Sequence, residues 1–149
     1  MMENIKYSFR YKEIFEEMVF ALYDEDPEGE SIDRCKIGAT VRYAEKNPES
    51  IEILIFKEGT DIAGYAILTF VWSNEHGGLL LCIDELFVRK EWRGHGIAAS
   101  FMESLSDMYP GIKGICLEVT PANASAEHLY RKLGFSETAN RHMFRKAGR

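Results

Sequence analysis

Three apolar runs, the first rich in β-branched residues, follow one another through connections too short to carry the chain across a sheet. IEILIF (51–56) leads through KEGTD into IAGYAILTFVW (62–72), and SNEHGG then leads into LLLCIDELFV (79–88). A parallel crossover needs a dozen or more residues, so these runs are expected to form an antiparallel meander. Any fold for this chain must be built around that sheet.

Helical spacing brackets the meander. Ile14, Phe15, Met18, Val19 and Leu22 share one face of a first helix, which Pro27 and Gly29 would end. Ser31 can cap a second helix carrying Ile32, Cys35, Ala39 and Tyr43 on one face, closed by Asn47-Pro48. After Arg93 a third helix turns Ile97, Phe101, Leu105 and Met108 inward and stops near Pro110-Gly111. GICLEV (114–119) is reached by crossing over that helix, which makes it parallel to the 79–88 strand. A last helix runs from Asn123 to Leu133 with Gly134 at its stop, and ETANRHMFRK (137–146) is expected as an edge strand. The expected fold is α/β, a mixed and mostly antiparallel sheet flanked by helices. With 149 residues, no repeat and no low-complexity linker, a single domain over 1–149 is expected.

A formal net charge of −6 argues against nucleic acid, whose phosphates call for a basic surface. No apolar run is long enough to cross a bilayer, and MMENIKYSFRYKE lacks the apolar core of a signal peptide. The expected compartment is the cytoplasm. Cys35, Cys82 and Cys116 stand far apart beside apolar residues, so they read as small buried hydrophobes in a reducing compartment, without a disulfide framework. His76, His95, His128 and His142 have no metal-ligand spacing, and no metal is expected. The acidic run DEDPEGE (24–30) reads either as a solvated loop or as a lip that attracts a cationic substrate.

Between the last meander strand and the third helix lies RKEWRGHGIAA, whose GHGIAA (94–99) satisfies the G-x-G-x-x-A form of a dinucleotide fingerprint. The charged arm from Arg89 to Arg93 separates strand from glycine, where a dinucleotide unit turns tightly. Glu118 lies near enough to the expected ribose-binding position that this test does not exclude such a site. The surroundings do, because a doubly wound sheet needs successive βα units and this pattern has one crossover after a meander. A nicotinamide or flavin site is set aside on that ground. The physics of the loop remains. A helix start offers unpaired N–H groups and partial positive charge, Gly94, Gly96 and Ala98 keep side chains out of the way, and Arg93 adds a formal charge. Two glycines at a helix start cost stability relative to alanine, which weighs against a plain connection. An anionic phosphate belongs here.

Arg93-Gly94-His95-Gly96-Ile97-Ala98 resembles the R/Q-x-x-G-x-G/A signature of the GNAT superfamily of acyl-CoA N-acyltransferases, behind a strand ending in Glu85-Leu86-Phe87-Val88. EVTPANASAEHLYRKLGF (118–135) is similar to the second signature of that family, with Asn123, Leu129-Tyr130 and Leu133-Gly134-Phe135 in order. Ala98 stands where glycine is commoner, a change the signature tolerates. The resemblance implies the GNAT α/β sandwich with a splayed pair of parallel strands, and direct acetyl transfer from acetyl-CoA to an amine. It implies that backbone groups of Leu86, Phe87 and Val88 pair with the pantetheine arm. It further implies that Arg93, Gly94, His95, Gly96, Ile97 and Ala98 wrap the pyrophosphate, and that Asn123 touches the pantetheine or the phosphates.

Transfer from a thioester to an amine needs a base for the ammonium proton and an acid for the departing thiolate. Asp84 and Glu85 lie on the strand that would carry the acyl group, and alternation sends them to opposite faces, so only one can serve. Asp84 is expected to share a face with Cys82 and Leu86; the family more often keeps an acid at the Glu85 position. Base, substrate anchor and structural ion pair stay open for both. Tyr130 belongs by periodicity to an apolar stripe with Ala126, Leu129 and Leu133, which alone would make it a core residue. The resemblance favours it instead as the proton donor to sulfur.

The leading expectation is an enzyme acetylating an amine of a small molecule or a peptide. Its acceptor site would involve Tyr23, Asp24 and Glu25 at the end of the first helix, and a homodimer could form through the 137–146 edge. The alternative is a non-catalytic acyl-CoA-binding sensor module. Fold-level resemblance does not specify the acceptor.

Overall fold

The structure is a computed structural model and describes residues 1–26, 29–120 and 123–148. The chain divides into two compact units, Met1–Glu118 and Val119–Arg149.

The first unit is organised by a five-stranded sheet in the order β1-β2-β3-β4-β5. The strands are β1 (Glu3–Lys6), β2 (Ile51–Glu58), β3 (Asp61–Ser73), β4 (Gly78–Val88) and β5 (Gly114–Leu117). The first four pair antiparallel, and β5 runs parallel to β4. The meander and the crossover therefore stand as the connection lengths demand. β1 was not anticipated: ENIK is short and polar and gains its strand character by pairing with β2.

Helices α1 (Lys12–Glu25) and α2 (Arg34–Lys46) cover one face of the sheet. Phe15, Met18 and Val19 of α1 and Ile37 of α2 are buried against Ile53, Ile55, Tyr65, Ile67 and Phe87. Strand alternation turns Phe56 to the other face, where its ring meets Phe101 of α3 (Ile97–Met108) at 4.9 Å between centroids.

One irregularity in this sheet sets up the site. Ile67 of β3 pairs with Glu85, whereas Leu68 pairs with Ile83, so Asp84 is an extra residue in β4. Cross-strand partners share a face and successive residues alternate, so this bulge places Ile83 and Glu85 on opposite faces although they are two apart. Ile83 goes with α3, and Glu85 and Phe87 with α1. The same bulge overturns the expected common face of Asp84, Cys82 and Leu86, because the partners Thr69 and Ala66 lie on opposite faces. The β4–β5 ladder ends at Ile83↔Leu117, just before the bulge, while β4 continues to Val88. The parallel pair is thus splayed.

Several local expectations need correction. The cap of α2 is Asp33, whose carboxylate accepts from the Lys36 N–H at 2.8 Å, and not Ser31. Cys35, Ala39 and Tyr43 are exposed, because α2 turns the stripe of Ile37, Val41 and Ala44 inward. Cys35 is a free, exposed thiol, and Cys82 and Cys116, register partners on β4 and β5, form a disulfide. α1 ends at Glu25; the stop expected at Pro27 lies outside the described residues.

The second unit contains α4 (Ala124–Lys132), capped by the Asn123 side chain at the Ala126 N–H. Gly134 follows at φ 94°, the left-handed conformation that ends helices. Residues 137–146 form no strand, and Met143 and Phe144 are exposed. A lone segment without a pairing partner gains no ladder, so the edge expected to support a dimer is missing.

Candidate functional site

Past Val88 the chain makes a short turn through Lys90–Trp92 and reaches α3 by way of Gly94 and Gly96, at φ 82° and 74°. Only glycine adopts these angles without strain. A Cβ at either position would meet nothing within 4 Å, so conformation and not crowding demands glycine there. The Ser100 N–H closes the first helical bond onto the Gly96 carbonyl at 3.0 Å. Among the described residues, no protein group accepts from the N–H groups of Gly94, His95, Gly96, Ile97, Ala98 or Ala99. The loop is a set of unpaired donors at the positive end of a helix, which fits an anion.

Arg93 is less available than its charge suggests. Its Nε donates to the Val88 carbonyl at 2.8 Å, and its guanidinium meets Glu25 at 2.7 Å while lying 5.5 Å from the centre of the Phe87 ring. The His95 Nδ1 lies 2.9 Å from the Trp92 carbonyl.

On the β3 side Leu86, Phe87 and Val88 pair with Ala66, Tyr65 and Gly64. On the β5 side no strand accompanies them beyond Ile83 among the described residues. Gly64 permits a close approach there, since a Cβ would stand 2.0 Å from the Phe87 carbonyl oxygen. Among the described residues, β4 thus runs from Ile83 to Val88 without a strand partner on this side, toward the donor loop.

Glu85 lies on the α1 face at the head of this edge. Its Oε2 accepts from the Tyr23 hydroxyl at 2.6 Å and its Oε1 from the Tyr65 hydroxyl at 2.7 Å. Burial pushes the Glu85 carboxyl up, the two phenols pull it down, and the neighbouring Asp84 pushes it up again; the net direction is upward. Burial and the same carboxylate raise both phenols well above the usual tyrosine value. Asp84 is exposed on one side, and crowding on the other together with Glu118 raises its carboxyl.

The residues expected at the acceptor lip therefore divide. Tyr23 turns to Glu85 and Glu25 to Arg93, while Asp24 is exposed. The middle of the acidic run, residues 27 and 28, lies outside the described residues. Tyr65 was missed, because in an apolar strand it reads as core. Its signal was the hydroxyl, which a buried tyrosine must satisfy.

In the second unit Tyr130 is half-buried, its ring 6.0 Å from Phe135, and burial raises its phenol. Its hydroxyl has no hydrogen-bond partner among the described residues. Asn123 is occupied as the cap of α4. Among the described residues, no cluster of His, Cys, Asp or Glu could hold a metal ion.

The family model of the acetyltransferase (GNAT) family matches residues 11–135. The chain belongs to the GNAT acetyltransferase family. Streptothricin acetyltransferase of Streptomyces lavendulae is 35% identical over 78 residues, 51% of this chain and 39% of that protein. The chain thus spans well under half the length of this relative. Among solved structures, a possible acetyltransferase of Clostridium difficile 630 superposes with a TM-score of 0.83 at 19% identity, covering 100% of this chain and 99% of that one. A predicted acetyltransferase of Clostridium acetobutylicum, crystallised with acetyl-CoA, gives 0.77 at 18% identity over 97% and 96% of the two chains. At such identities the likeness is one of fold. The GNAT fold accounts for the mixed sheet, the splayed pair and the glycine loop together.

Proposed function

We propose that this GNAT chain is an N-acetyltransferase that moves the acetyl group of acetyl-CoA directly to a primary amine of a small molecule or peptide. One observation carries the reading: the donors from Gly94 to Ala99 stand next to a strand edge left open past Ile83. A ligand that fits both must join a phosphate to an extended arm able to pair with backbone, as coenzyme A does.

Acetyl-CoA supplies the thioester carbonyl and a thiol leaving group; the chain supplies the rest. N–H groups of Gly94, His95, Gly96, Ile97 and Ala98 hold the diphosphate, and Arg93 braces the loop and adds charge. Backbone groups of Leu86, Phe87 and Val88 on the open edge pair with the pantetheine arm, and Asn123 makes a further contact to the cofactor. Glu85 takes the proton of the incoming ammonium, directly or through water, and its raised carboxyl is a better base than an ordinary glutamate. Asp84 and Asp24 attract the cation. Tyr130, whose phenol burial raises further above neutral pH, carries its proton and donates to the departing sulfur. The relative named streptothricin acetyltransferase supports a small-molecule acceptor ahead of a peptide.

Calorimetric titration with coenzyme A, followed by thiol release with streptothricin, spermidine, an aminoglycoside and a lysine peptide, tests the reading. Binding with turnover of one acceptor is expected. Binding with no turnover would favour the sensor module, and absence of binding would remove both. Tyr130→Phe should lower kcat roughly a hundredfold and leave coenzyme A affinity in place.

A further inference from the structure

The mechanism uses Glu85 but leaves its two hydrogen-bond partners without a role. Tyr65 is fully buried on β3, in the middle of the α1-face core, and Tyr23 sits on α1 close to its end. They reach the same carboxylate from two different elements, one oxygen each, at 2.6 and 2.7 Å. A phenol can satisfy its hydroxyl at any nearby carbonyl, so two phenols on a single carboxylate form a built arrangement. Short hydrogen bonds from hydroxyl to carboxylate are of the stronger, charge-assisted kind. Each carboxylate oxygen keeps a second lone pair, so a water or an amine can still approach.

We propose, resting on Glu85 as the base, that Tyr23 and Tyr65 are positioning residues: their hydroxyls fix the Glu85 carboxylate in orientation and keep it ionised for the acceptor amine. The groups facing Glu85 are Tyr23 from α1, Tyr65 from β3 and Asp84 from β4, with Glu118 behind Asp84. Burial and Asp84 both favour the neutral acid. The phenols alone oppose them, and without that opposition the carboxyl would keep its proton to higher pH. Tyr23 also makes the end of α1, where the acceptor lip begins, part of the control of the base.

Tyr23→Phe and Tyr65→Phe preserve ring volume and remove only the hydroxyl. Carbon-detected NMR of protein labelled at the glutamate carboxyl follows Glu85 directly, its signal identified by its loss in Glu85→Gln. Each variant should move the titration midpoint upward by roughly half a unit to one unit, and the double variant further. The acidic limb of kcat/KM for spermidine or streptothricin, whichever turns over, should move by the same amount, with activity recovering on the alkaline side. A contribution to folding alone would lower melting temperature or activity at every pH without displacing the limb. Midpoints unchanged in both single variants would overturn the proposal while a silent Glu85→Gln enzyme left the base assignment standing. An active Glu85→Gln enzyme with the wild-type limb would remove the base assignment and this proposal together, and coenzyme A binding would still hold the family reading. Tyr23→Phe, at a half-buried position, decides the matter should Tyr65→Phe fold poorly.

Discussion

Glu85 and Asp84 are adjacent carboxyls that the fold holds more firmly protonated than the unfolded chain would. Both are raised, with burial the first cause in each. By linkage their favourable contribution to stability is complete below their unfolded values and is lost as pH rises through the native ones. Glu85→Gln cannot titrate. As pH rises from about 4 through the raised native value, the wild type should therefore lose denaturation midpoint relative to Glu85→Gln, and parallel curves would refute the shift. The two carboxyls were legible in the sequence as candidates for the proposed base. Their surroundings were not. Simple alternation puts Ile83 and Glu85 on one face, and the bulge that separates them leaves no mark in IDEL. The partnership of Tyr23 with Glu85 spans 62 residues and depends on how α1 lies across the sheet.

At the scale of elements, the glycine loop joins a strand to a helix through two left-handed residues. Gly96→Ala should destabilise the fold by roughly 1–2 kcal/mol, since a side chain at φ 74° is strained even where space is open. Its affinity for coenzyme A should fall with it, and calorimetry beside denaturant melts reads both. An alanine variant with unchanged stability and unchanged binding would mean that the left-handed turn is dispensable. Strands β2, β3 and β4 and helices α1, α3 and α4 followed from spacing, turn residues and connection lengths. The inward stripe of α2 did not, because its sequence carries two apolar stripes and only tertiary contact with Ile53 and its neighbours selects Ile37. The tail, 137–146, failed for the opposite reason. A strand pattern is a statement about a partner, and the segment has none in its unit.

On the scale of the whole chain, the Cys82–Cys116 bridge ties β5 to β4 across a separation of 34 residues. Closing a loop of that length in the unfolded chain should stabilise the fold by roughly 3–4 kcal/mol. Denaturant midpoints with and without reductant, in a Cys35→Ser background, measure the difference; equal midpoints would show that the bridge contributes nothing. Spacing alone could not pair these cysteines, since only the parallel register brings them opposite each other.

The extra residue in β4 has a wider consequence. Excising Asp84 would restore an ordinary strand in which Ile83 and Glu85 keep their present sides, so both hydrophobic layers would survive the deletion. The irregularity that coincides with the fork between β4 and β5 would be gone, and the neighbouring strand would be at liberty to zip onward toward Val88. Architecture and the edge proposed for the cofactor would therefore be separable by a single amino acid, and the shortened chain should fold well yet lose the proposed seat for its donor.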